Sequence, residues 1–117
     1  MDVEKVREYC LNKKGVTESF PFDETTLVFK VMDKMFALLN LDDNPGLGLK
    51  CMPDLATDLR EKYSCVIPGY HLNKKHWNTI ILDNSVKDEL IYQWINISYN
   101  LVKKNLTIKK KNELSKL

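Results

Sequence analysis

The residues best suited to chemistry lie between Tyr70 and Asn78, a segment that reads Tyr-His-Leu-Asn-Lys-Lys-His-Trp-Asn. Lys74 and Lys75 beside His76, Trp77 and Asn78 form a combination fitted to nucleic acid. Lysines neutralise phosphates and release counterions, which makes affinity salt-dependent. An aromatic ring such as Tyr70 or Trp77 can stack on an unpaired base. An asparagine amide such as that of Asn78 can read adenine or contact a phosphate. His71 is a further stacking or positioning group. The bland alternative is a solvated loop in which Trp77 opens a strand and anchors it in the core. Lys103, Lys104 and the run Lys109-Lys110-Lys111 form a second basic cluster, for which the alternative is a solubilising chain end.

Other chemistries find less support. Cys65, His71 and His76 are spaced Cys-x5-His-x4-His, which matches no common zinc pattern. Iron would want a dense set of hard oxygen ligands. The first helical segment offers Asp2, Glu4 and Glu8 interleaved with Lys5 and Arg7, a mixed solvated face. No GxxxxGK or GxGxxG loop is present to cradle phosphates, and no GxSxG elbow. Asp23 and Glu24 are adjacent, so on an extended chain their carboxylates point to opposite faces. The expectation is a protein without catalytic residues, metal or cofactor.

These residues need a scaffold, and 117 residues with 44% hydrophobic and 29% charged content supply one ordinary globular domain. No apolar run approaches the roughly 18 residues of a membrane span, and residues 1–5 carry no signal-like stretch. The reading is a cytoplasmic protein with no membrane association. Cys10, Cys51 and Cys65 are scattered and odd in number, which argues for buried free thiols. Net charge is +2. Residues 1–49 carry six basic against nine acidic side chains, whereas residues 50–117 carry twelve against seven. The asymmetry permits a nucleic-acid partner for the second half.

Apolar spacing places a helix over about residues 2–14, with Asp2 as its N-cap and Gly15 as its stop. Ser19–Phe22 reads as a short edge strand. Residues 25–31 and 35–41 read as a hairpin about Asp33-Lys34, and residues 47–51 as a further strand. Pro53 opens a second helix, and residues 77–82 form the last strand. A final helix starts near Ser85, in a weak capping box with Asp88, and runs to Lys103-Lys104. Residues 1–105 make one α+β domain, an antiparallel sheet with helices on one face. Residues 106–117 read as a flexible, lysine-rich tail.

Two segments resemble the MmcQ/YjbR family of small bacterial proteins. One is Phe20-Pro21-Phe22-Asp23-Glu24 with Thr26–Val31 and Lys34-Met35-Phe36-Ala37; the other, more specific, is Pro68-Gly69-Tyr70 through Lys75-His76-Trp77-Asn78-Thr79. The resemblance covers roughly residues 1–104. It implies a CyaY-like α+β fold and a DNA-binding role through a winged arrangement of strands and loops. The function expected is weak, phosphate-directed DNA binding through the basic loop. The alternative is a non-enzymatic protein-interaction or small-ligand module, which would use an apolar pocket.

Overall fold

The structure is a computed structural model that describes residues 1–69 and 72–117. In chain order the elements are α1 (Val3–Leu11), β1 (Val16–Ser19), β2 (Thr26–Val31), β3 (Lys34–Asn40), β4 (Gly46–Lys50), α2 (Pro53–Lys62), β5 (Val66–Pro68), β6 (Trp77–Ile81), α3 (Asp88–Lys104) and α4 (Ile108–Ser115). The six strands form one sheet in the order β1-β2-β3-β4-β6-β5, and each adjacent pair is antiparallel. The α+β class expected from the sequence is therefore correct.

Strand register sorts the side chains into two faces. Leu27, Leu39, Leu47, Ile80 and Val66 stand opposite one another in a row across five strands. All five are buried and belong to the main core with Ile91, Trp94, Ile95 and Tyr99 of α3. Residues one step along each strand must point the other way. Val28, Leu38, Gly48, Thr79 and Ile67 accordingly form a second row on the face away from the helices. A register irregularity between Phe29 and Lys30 leaves Phe36 without a direct partner. Phe36 and Ala37 are both fully buried as a result, and Phe36 meets Tyr99 edge to face at 5.4 Å.

Local chemistry explains the element ends. The Asp2 carboxylate accepts from the Lys5 amide at 2.9 Å and caps α1. The β2–β3 turn is Met32-Asp33, one residue earlier than the sequence indicated. Both residues have positive φ, 48° and 71°, as the two centre positions of a type I′ hairpin require. Side-chain spacing does not reveal such a shift, because neither residue is glycine. The capping box at Ser85 does not form. The Ser85 amide instead donates to the Asp83 carboxylate at 3.0 Å in a turn, and α3 begins at Asp88 without a side-chain cap. Asp88 instead meets the N-terminal ammonium at 3.0 Å.

The largest correction concerns the C-terminus. Residues 106–117 are not a loose tail. Thr107 accepts from the Lys110 amide and caps α4, while Leu106 and Leu114 are buried in the core. Lys110 donates to the Met32 carbonyl at 3.1 Å, tying α4 to the β2–β3 turn. Gly15, at φ 75°, sits so close to this helix that a Cβ there would lie 2.5 Å from Leu114 Cδ1. Lysine-rich composition concealed two well-spaced anchors.

Candidate nucleic-acid interface

The basic segment lies at one end of the sheet. Pairing of Lys50 with Trp77 and of Val31 with Lys34 puts the start of β6, the end of β4 and the β2–β3 turn at the same end. The loop before β6 is shaped by Asn73. Its carbonyl accepts from the His76 and Trp77 amides at 3.1 and 2.9 Å, and its side chain accepts from the Lys75 amide at 2.9 Å. This is the Asx-turn chemistry that asparagine supplies in loops. The Gly69 amide donates to the Trp77 carbonyl at 2.9 Å across the β5–β6 hairpin. A Cβ at Gly69 would lie 2.8 Å from that same carbonyl oxygen, so this crossing requires glycine.

Arg60 of α2 holds the loop from the helix layer. Its guanidinium donates to the carbonyls of Lys74 and Trp77 and, at 2.6 Å, to the Asn78 side chain. Leu72, on the other side, reaches Gly48 on the open face. The loop thus wraps the end of the sheet, with Lys74 and Lys75 exposed at its tip and His76 half-buried. Among the described residues, no carboxylate lies within ion-pair distance of either lysine. Arg60 was not singled out in the sequence; arginine near a helix C-terminus has a sufficient local reason in the helix dipole.

The other candidates separate into groups. Tyr70 and His71 lie outside the described residues. Asn78 is only 1% exposed, on the helix-facing side, and its amide is spent: it accepts from Arg60 and donates to the Ala56 carbonyl at 3.2 Å. Trp77 is 8% exposed and presents no open ring face for a base. The expectation that these two contact nucleic acid is corrected by their burial; Asn78 and Trp77 hold the loop and do not present from it. Lys103 and Lys104 are exposed at the end of α3. Ser98 of α3 accepts from the Lys50 amide at 2.9 Å and donates to the Phe36 carbonyl, which fixes the helix over the end of the sheet where the loop sits. The helix then continues beyond that end to Lys103 and Lys104. Loop and helix lysines therefore share an end of the sheet, approached from different layers.

The cysteines offer no nucleophile at this end. All three are buried and free. Burial pushes the Cys10 thiol up to about 12 and raises that of Cys51, which favours the unreactive protonated form. Among the described residues, no helix is long and apolar enough to cross a membrane, and no group of three His, Cys, Asp or Glu side chains is placed to hold a metal ion.

Comparison with known proteins places this arrangement. Residues 11–101 match the YjbR family model. The chain is 38% identical over 100 residues to the uncharacterized protein YjbR of Escherichia coli strain K12, covering 85% of each chain. It is 32% identical over 77 residues to the uncharacterized protein YyaQ of Bacillus subtilis strain 168, covering 66% of this chain and 64% of that one. The crystal structure of Deinococcus radiodurans protein DR2400 superposes with a TM-score of 0.90 at 40% identity, covering 97% of this chain and 87% of that one. A Pseudomonas syringae protein superposes with a TM-score of 0.76 at 27% identity, covering 86% of this chain and 98% of that one. With its motif segments, its sheet order and these relatives in agreement, the chain belongs to the YjbR family.

Proposed function

We propose that this protein binds nucleic acid weakly, DNA in the first instance, through phosphate contacts made by the wrapped loop. It acts in this as a non-enzymatic cytoplasmic binding module. One observation carries the reading: Lys74 and Lys75 are exposed on a loop whose backbone is held by Asn73 and Arg60, with no described carboxylate paired to them. Lysines on a fixed frame lose less freedom on meeting a phosphate than lysines on a mobile one. Lys103 and Lys104 add charge at the same end. With Asn78 and Trp77 buried, base readout is limited and the contacts are directed to the backbone of the nucleic acid.

Anisotropy titration of labelled duplex and single-stranded DNA at about 50 mM and 200 mM salt tests this. Binding should weaken steeply as salt rises. The Lys74→Ala/Lys75→Ala double variant should bind more weakly, with a salt slope flatter by up to about two units. A folded double variant with unchanged affinity and slope would remove the loop from the function.

A further inference from the structure

We propose that the open face of the sheet is a docking groove for an extended protein segment that carries lysine or arginine around an apolar residue. This site is separate from the loop lysines and does not depend on the nucleic-acid reading. The groove has a volume of about 1270 Å³, above the roughly 300–1,000 Å³ of ordinary small-molecule sites. Its floor is the outward row of the central strands, including Leu38, Gly48 and Thr79. A Cβ at Gly48 would meet Leu38 and Leu72 at 3.5 and 3.6 Å, ordinary contact distances. Gly48 itself is buried, and the Leu72 side chain lies over it, so the floor at this point is strand covered by an apolar side chain.

The walls are apolar and exposed. Phe22 is 64% exposed, Leu41 40% and Ile67 38%, and all three line this groove. Large apolar side chains gathered in one exposed place mark interaction surfaces. The rim decides what kind of partner fits. It carries the carboxylates of Asp23, Asp42 and Asp43, and the described lining residues include no lysine, arginine or histidine. The Asp23 carboxylate accepts from the amides of Thr25 and Thr26 at 2.9 and 2.7 Å, which holds it ionised below the usual aspartate range. The Asn40 side chain accepts from the Asp42 amide at 2.9 Å, fixing the second rim loop. An apolar trough with an anionic rim complements a cationic, partly apolar segment and repels a phosphate backbone.

The test is anisotropy titration of the full chain with a fluorescein-labelled octapeptide of alternating lysine and leucine, beside the same peptide with glutamate for lysine. The lysine peptide should bind saturably and the glutamate peptide should not. The Asp42→Asn/Asp43→Asn variant should bind about tenfold more weakly, as the loss of two exposed charge contacts implies. Phe22→Ala, a change at an exposed side chain that leaves folding intact, should also weaken binding. Lys74→Ala/Lys75→Ala should leave peptide affinity unchanged, which separates this site from the loop. Absence of saturable binding, equal binding of the two peptides, or unchanged affinity in both groove variants would overturn the proposal. Competitive displacement of the peptide by duplex DNA would overturn it too, by assigning the groove to nucleic acid.

Discussion

Asn78→Ala is expected to lower stability by about 2–4 kcal/mol, because it strips partners from two groups in a closed site. The Ala56 carbonyl loses the amide donor, and the Arg60 guanidinium loses its 2.6 Å acceptor. The midpoint of thermal unfolding should fall by about 10 °C in a domain of this size. Arg60→Ala should cost a similar amount, and the two changes together should cost less than their sum, since they break one shared network. At temperatures where the Asn78→Ala variant is folded, its DNA salt slope should match that of the parent. A variant of unchanged melting temperature with DNA binding abolished would instead return Asn78 to the interface.

Deleting residues 107–117 should destabilise the domain by about 2–4 kcal/mol, whereas removal of a loose tail would cost nothing. Leu114 is 3% exposed, and burying one leucine is worth about 1.5–3 kcal/mol. Loss of α4 also uncovers Gly15 and frees the Met32 carbonyl from Lys110. The urea midpoint of the truncated chain, set beside that of Leu114→Ala, measures the effect. The point substitution keeps every C-terminal lysine, so a comparable loss in both assigns the cost to packing and not to charge. An unchanged midpoint in the truncated chain would show that α4 contributes nothing.

Much of the scaffold is legible in the sequence. Leu90, Trp94, Ile97 and Leu101 repeat at helical spacing within α3. The buried face of that helix is the neighbouring stripe Ile91, Trp94, Ile95, Tyr99 and Val102, while Val86 precedes the helix and Ile97 is exposed. Residues 25–31 are β-branched and aromatic and residues 35–41 return after a short turn, and β2 and β3 pair there. Asp2 caps the first helix and Pro53 opens the second, as their chemistry requires. These features depend on neighbours three or four residues away, within reach of a local pattern. The Lys74-Lys75 loop was also legible, because exposed lysines beside Asx-turn asparagine make a surface segment wherever the chain goes.

The sequence by itself determined the α+β class, the family, the free buried thiols and the position of the basic loop. Each follows from composition, periodicity or a contiguous motif. Only the tertiary structure decided which side chains of Trp77-Asn78 face inward, because a strand's two faces are equivalent until other elements choose one to cover. It decided that Arg60, fourteen residues upstream of Lys74 in the chain, holds the loop. It turned residues 108–115 into a packed helix, since Leu106 and Leu114 stabilise nothing until a core stands opposite them. It also assembled the groove, whose aromatic wall, carboxylate rim and strand floor come from separate segments that read singly as turns and strands. Such constellations depend on long-range register, and no local spacing encodes it.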